Sequence, residues 1–323
     1  MASREEQLET GQRAIEGLLC EFRAGNIGQP GVEKVRLGRH LGDLSKRWEQ
    51  RFPGLPDRWP KHAHKRRIPG PGVRDEYLKD IIAKLLEGIE GENYTIVNPA
   101  CVWGRHARDL AKRLPGWRVL ATDINPRYDR FYDRWPWSRT PGNYEFIKDD
   151  IFNPKAEAKP SAAVFFGACA SLSDAAMDYA IESHCPLLAG RACCHAMIGG
   201  NIDIVKQPDF WNRVSRLQIF IFAKRLAKLK AKGHYFSPKY SANHYPRSET
   251  AKTLTNSDEL IEVARNAVSS DICKSIIDLD RYLHLAEAGY DVWYRAEMFV
   301  AELSTKAQRL EEPQRNGNTP ERP

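Results

Sequence analysis

The chain has 323 residues, 42 % of them apolar and 28 % charged, the balance of a globular protein with enough apolar material for a sizeable core. Its 22 glycines and 20 prolines are ordinary and exclude collagen-like or broadly disordered material. The formal charge is +7, and the seven scattered cysteines exclude a disulfide-stapled secreted fold.

The excess charge is uneven. Residues 1–72 carry 14 Lys and Arg against 9 Asp and Glu, and residues 206–252 carry 11 against 2. A stretch that basic points to a polyanionic partner held through counterion release; the alternative is a solvated helix face. The N-terminus shows no secretory pattern and no myristoylation glycine, and no apolar run approaches the roughly 18 residues needed to cross a bilayer. The expectation is a protein of a reducing compartment, cytoplasm or nucleus, without a membrane partner.

In chain order, residues 1–50 read as helical, with Leu8, Ile15, Leu18 and Leu19, then Leu37, Leu41 and Leu44, near helical spacing. Prolines at 53, 56, 60, 69 and 71 then break the chain around the basic run 61–67. Residues 1–72 are therefore expected to be a helical extension with a basic linker, and residues 73–304 the main domain. Arg74–Glu90 predicts an amphipathic helix. Short apolar strands are predicted at 94–97, 117–122, 144–147, 162–166 and 186–189, with helices at 104–114 and 174–184 between them. Strands alternating with helices predict an α/β fold: a doubly wound, mostly parallel Rossmann-like sheet. Phe210–Lys232 predicts a basic helix within a basic aromatic insertion, 206–252, that includes a loop from Gly233. Helices follow at 256–267, capped by Asn256 or Ser257, and at 276–288. A late strand is predicted over 290–300, and 305–323 is a polar, Pro-bearing tail.

Ligands of open α/β sheets bind at the carboxyl ends of the strands, where the strand order switches. After the first strand the chain reads Val97-Asn-Pro-Ala-Cys-Val-Trp-Gly104-Arg, with a helix starting near Gly104. The free N–H groups of that start favour a carboxylate or phosphate. Asp123, at the end of the second strand, is placed to accept from two ribose hydroxyls. Asp149 or Asp150, after the third strand, is placed to accept from an adenine amino group.

This layout resembles the class I S-adenosylmethionine (SAM)-dependent methyltransferases. Asn98 stands where that family usually has an acid, Ala100 and Val102 replace two of its glycines, and Gly104 remains. A nicotinamide dinucleotide is disfavoured, because Val102 and Trp103 obstruct the close backbone approach that a pyrophosphate requires. The resemblance implies SAM as cofactor. Its expected contacts are Asn98, Ala100, Cys101, Gly104 and Arg105 in the first loop and helix start, Asp123 and Ile124 after the second strand, Asp149 and Asp150 after the third, and Gly167 after the fourth.

Three further segments narrow the likeness: Phe166-Gly-Ala-Cys169-Ala-Ser-Leu-Ser-Asp174, Ala192-Cys-Cys-His195 and Ile277-Asp-Leu-Asp-Arg281. Cys169, Asp174, Cys193, Cys194, Asp278 and Arg281 resemble a Cys-Cys-motif subfamily that includes the methyltransferase-like 25 proteins and is similar to the Trm thirteen-type tRNA 2′-O-methyltransferases. Gly167, Ala170 and Ala192 depart from its pattern. The Cys-Cys-His run lacks CxxC spacing, and no metal is expected. The candidate catalytic residues are His195 and Asp174, with Cys169 beside them. A structural histidine, a helix N-cap at Asp174 and buried structural thiols are the alternatives.

The cations Arg213, Arg216, Lys224, Arg225, Lys228, Lys230 and Lys232 are followed by Tyr235, Phe236, Tyr240, Tyr245 and Arg247. Cations beside rings suit looped or single-stranded RNA, or a lid over a small substrate. A second aromatic cluster, Tyr128–Trp137, is placed to wall the nucleoside or the substrate. The expected function is methyl transfer to an O or N acceptor, with RNA first. A small-molecule acceptor and a non-catalytic binding module remain the rivals.

Overall fold

The computed structural model describes residues 3–54, 73–87, 94–101, 104–124, 140–155, 159–169, 171–193, 195, 198 and 238–304. Most of the proline-rich linker, Val102 and Trp103, the aromatic cluster at 128–137, the basic helix at 210–232, Cys194 and the tail lie outside the described residues.

Helices α1 (Arg4–Arg23), α2 (Pro30–His40), α3 (Gly42–Arg51) and α4 (Val73–Glu87) precede the first strand. The strands are β1 (Thr95–Asn98), β2 (Arg118–Asp123), β3 (Tyr144–Lys148), β4 (Ala162–Cys169) and β5 (Leu187–Cys193), with α5 (Arg105–Arg113) after β1 and α6 (Ser171–Glu182) after β4. Then come α7 (Glu249–Leu254), α8 (Ser257–Asn266), α9 (Asp271–Glu287), β6 (Tyr290–Arg295) and β7 (Met298–Leu303). Among the described residues, no helix is long and apolar enough to cross a membrane.

The strands form one sheet in the order β3-β2-β1-β4-β5-β7-β6. The first five are parallel, and β7 runs antiparallel to both β5 and β6. Alternate residues face opposite sides, as the period of two requires. Val97, Leu120, Ala163 and Phe165 join one core cluster with residues of α1, α6, α8 and α9. Ile96, Val119, Ala162 and Val164 join the other with α4 and α5. The result is a three-layer α/β fold with a sheet covered on both faces.

The N-terminal helices are part of this core. Ile15, Leu18 and Leu19 of α1 are sealed against α9. Gly11 allows the close approach, because a Cβ there would lie 2.8 Å from the side chains of Leu283 and Tyr282. Gln7 reaches across to the sheet edge, donating to Asp291 (2.6 Å) and accepting from the Val292 N–H (2.9 Å). Leu44 and Trp48 of α3 enter the two clusters respectively, so α3 covers the edge strand β6, whose unpaired backbone would otherwise invite another chain.

Three expectations need correction. The late strand over 290–300 is a hairpin. Its two turn residues, Ala296 and Glu297, both have positive φ (51° and 72°), the conformation of a tight type I′ connection. Nothing in Ala-Glu announces such a turn. Arg74 holds it by donating to the Ala296 carbonyl (3.1 Å) and the Glu297 carboxylate (3.2 Å). The helix expected at 276 begins at Asp271, capped by the Ser270 side chain on the Cys273 N–H. Asp174 is not an N-cap: α6 begins at Ser171 and Asp174 is inside its first turn.

Leu18 has no exposed surface, so Leu18→Ala is expected to cost about 2–5 kcal/mol. Urea unfolding followed by circular dichroism should show that loss in a single transition; a separate early transition for α1 would contradict a shared core.

Candidate functional site

The winding of the sheet reverses between β1 and β4, so the crevice at their carboxyl ends is the expected ligand position. Asn98, at the tip of β1, is buried and donates through Nδ2 to the Val164 carbonyl (2.8 Å). Its amide braces the two strands across the switch point. The following loop turns at Ala100, whose φ is 51°. That left-handed geometry costs a residue with a Cβ about 1–2 kcal/mol. The backbone therefore keeps a glycine-like turn at a position where the family resemblance expects glycine. Cys101, half-buried, donates its N–H to the Thr122 carbonyl (2.9 Å) and ties the loop to β2.

Gly104 is the N-cap of α5, in the left-handed conformation and with no side chain of its own to cap the helix. A Cβ at Gly104 would lie 2.3 Å from the Tyr144 hydroxyl oxygen, so both dihedral and space require glycine. Arg105, half-buried, opens the helix. Asp123, at the tip of β2, is buried, and its carbonyl accepts from the Asp149 N–H (3.2 Å). Ile124 packs at the edge of the core. Gly167 has φ 63° and sits at a register irregularity in β4 between Phe166 and Ala168.

Asp149 and Asp150 have local work. Asp149 accepts from the Asp150 N–H (2.9 Å) and the Lys155 N–H (3.0 Å), while Asp150 accepts from the Phe152 N–H (3.1 Å). These bonds close the turn after β3.

His106, a single histidine in the first turn of α5 with no motif around it, carries no functional signal in the sequence. Its ring stacks on Phe166 of β4, with centroids 4.5 Å apart and planes 20° from parallel. It therefore bridges α5 and β4 beside the switch point. The ring as a whole is half-buried, yet Nδ1 is sealed from solvent with no hydrogen-bond partner. Burial lowers its pKa to about 4, with Lys79 and Arg191 lowering it and Asp75 and Asp109 opposing. At neutral pH the imidazole is uncharged. The nearby carboxylates are paired: Asp75 with Arg191 (2.6 Å) and Asp109 with Lys79 (2.9 Å).

At the end of β5 the segments singled out by the resemblance converge. His195 is buried, and its Nε2 lies 2.7 Å from Asp278 Oδ1. A carboxylate only accepts, so Nε2 carries the proton and Nδ1 is the nitrogen left for chemistry. Asp278 also accepts from Arg281 (3.2 Å) and the Tyr294 hydroxyl (3.2 Å). Arg281 donates through Nε to Asp174 (2.8 Å). Asp174 further accepts from Arg247 (3.3 Å) and from the Tyr245 hydroxyl. Burial alone would raise the Asp174 pKa, but the Arg281 and Arg247 guanidiniums outweigh it and hold the carboxyl below its ordinary value.

Cys169 and Cys193 are register partners on β4 and β5, at the same end of the sheet. Part of the expected basic aromatic surface is turned inward. Tyr240 and Tyr245 are buried, Tyr240 donates to Asp178 (2.9 Å), and Arg247 pairs with both Asp174 and Asp178. These three side chains therefore serve the core. The last residues of the expected loop, 249–252, belong to α7.

No family model matches the chain, and no curated protein matches it. Among solved structures it is similar to a geranyl diphosphate methyltransferase in complex with GPP and sinefungin: 12 % identity over 72 % of this chain and 78 % of that one, TM-score 0.35. It is also similar to an O-methyltransferase family protein from Burkholderia thailandensis, at 10 % identity over 82 % and 69 %, TM-score 0.33. A third is precorrin-6y C5,15-methyltransferase from Geobacter metallireducens GS-15, at 13 % identity over 36 % and 61 %, TM-score 0.28. The chain spans less than two thirds of that last protein's length. With every score below 0.5, the functional reading rests on the chain's own sheet and side chains.

Arg281 is fully buried between two carboxylates. Arg281→Met leaves both without that cation, and the expected loss is about 3–5 kcal/mol, measured by urea unfolding at pH 7. His106 generates a pH dependence. Between its unfolded pKa of 6.5 and its folded pKa of about 4, the unfolded chain binds a proton that the folded chain does not. Stability therefore rises with pH through this window and is lost as pH falls from about 6.5 to 4, by roughly 2–3 kcal/mol. Urea midpoints across this range should flatten in His106→Gln.

Proposed function

We propose that the chain is a SAM-dependent methyltransferase. The observation that carries this reading is the sheet beyond β5. A dinucleotide fold repeats a mononucleotide-binding half on each side of the switch point, all parallel. Here the second half ends at β5, and an antiparallel hairpin replaces its continuation. One nucleoside position remains, which suits an adenosine carrying an amino-acid arm rather than a second nucleotide.

The residues present fit that group. Asp123 at the tip of β2 would accept from the ribose hydroxyls. The N-cap Gly104 brings no side chain to the first turn of α5, whose N–H groups would receive the carboxylate of the amino-acid arm. Asn98, Ala100, Cys101, Gly104 and Arg105 shape that turn, Ile124 and Gly167 flank the crevice, and Asp149 and Asp150 would carry the adenine contact. When bound, SAM supplies a methyl group on a positively charged sulfur.

His195 would take the proton from the acceptor O or N at its Nδ1 as that acceptor receives the methyl group. Asp278 holds the imidazole in the tautomer that leaves Nδ1 unprotonated. Asp174 acts through Arg281, which it holds against Asp278. Cys169 is the last residue of β4. The basic sequence of 206–232 supports a polyanionic acceptor, with RNA of the tRNA type as the class. The inward-facing Tyr240, Tyr245 and Arg247 confine its surface to other residues of the insertion.

Titration calorimetry with SAM tests the reading. Saturable binding is expected, weakened at least about tenfold in Asp123→Ala, which removes a charge-assisted hydrogen bond. Absence of heat and of thermal stabilisation at millimolar SAM would exclude it. A tRNA mobility shift that fades steeply with salt is the expected mark of the acceptor class.

A further inference from the structure

We infer that His106 reads the amino-acid end of the bound sulfonium nucleoside, its Nδ1 accepting from the ammonium group; this rests on the reading of the chain as a SAM-binding protein. Three observations lead there.

The first is position. His106 lies in the first turn of α5, two residues after the left-handed Gly104, and stacks on Phe166 of β4. β4 is the strand across the switch point from β1, so the ring stands beside the crevice where an open α/β sheet takes its ligand.

The second is the unsatisfied atom. A buried polar atom is normally paired, and an exception calls for a reason. Nδ1 is one of only a few such side-chain atoms among the described residues. The stack on Phe166 holds the imidazole plane, so in the tautomer protonated at Nε2 the Nδ1 lone pair is in place before any ligand arrives.

The third is complementarity. A zwitterionic amino acid needs donors for its carboxylate and an acceptor for its ammonium. The uncapped α5 turn supplies N–H donors. Asp75 and Asp109 are paired to Arg191 and Lys79. At this first turn, the imidazole Nδ1 is a buried nitrogen without a partner among the described residues. Burial keeps that imidazole unprotonated at neutral pH, so it offers a lone pair where a protonated ring would repel the ammonium. The N–H groups of the α5 start offer the ammonium no acceptor; His106 provides one.

The test compares two ligands that share the thionucleoside and differ in the amino-acid arm: S-adenosylhomocysteine and 5′-methylthioadenosine. Calorimetry is run on the full chain and on His106→Phe, which keeps the stack on Phe166 and removes the acceptor. The expected result is about a tenfold or greater loss for S-adenosylhomocysteine, since one charge-assisted hydrogen bond is removed, with methylthioadenosine affinity unchanged within about twofold. His106→Gln, which restores an acceptor oxygen, should recover part of the loss. Equal weakening of both ligands would overturn the inference, marking the ring as structural, and leave the SAM reading standing. Binding of neither ligand by the unaltered chain would overturn both. Should a variant fail to fold, nitrogen NMR of the unaltered chain decides. The His106 Nδ1 resonance should move with S-adenosylhomocysteine and stay in place with methylthioadenosine; the same response to both would overturn the inference.

Discussion

Arg281 carries a full positive charge with no access to water, and much of the tertiary structure is arranged around that fact. An ion taken out of water costs several kcal/mol unless its partners are close and well aligned. Here burial pulls the guanidinium pKa down, and Asp174 and Asp278 more than restore it. Asp174 belongs to α6 and Asp278 to α9 itself, while Asp278 also holds His195 beyond β5. One charge thereby fixes the two helices of one face against the strand end where chemistry is proposed. Arg247 extends the arrangement, pairing with Asp174 and Asp178 and drawing the end of the basic insertion onto the domain.

The proposed ligand end is shaped by different means. Backbone geometry does most of the work there: Ala100 and Gly104 in left-handed conformations, an amide brace from Asn98, and an uncapped helix start. Lys79 is sealed between Glu76 and Asp109, tying α4 to α5. The two faces meet at the carboxyl edge of β4 and β5. His106 stacks on β4 there, and His195 follows β5. One imidazole has a carboxylate partner and the Nδ1 of the other is buried without a partner among the described residues, so the two rings suit different proposed tasks: one oriented for proton transfer, the other a buried acceptor.

Much of the fold was legible because its signals are local. The apolar strands, the helix after Gly104 and the cap at Asn256 follow from periodicity and from side chains that bond their own backbone. The β6–β7 turn was not legible, since Ala-Glu carries no glycine or asparagine and its positive φ angles are held by Arg74, 222 residues away from Ala296. Asp174 looked like a cap because aspartate favours that position. Its actual partners, Arg247 and Arg281, come from the far end of the chain. Tyr240 and Tyr245 read as surface rings for the same reason: composition does not reveal which side of a loop meets the core.

The sequence alone determined the alternation of strands and helices, the glycine at the start of α5 and an acid at the tip of β2, because each depends on residues within a few positions of one another. Only the tertiary structure decided that His195 meets Asp278, that Arg281 is enclosed by carboxylates and that the His106 nitrogen is sealed without a partner. Those outcomes depend on distances between segments far apart in the chain. Folding sets such distances by burying apolar faces together, and the charges and ring nitrogens must then be satisfied wherever that packing leaves them.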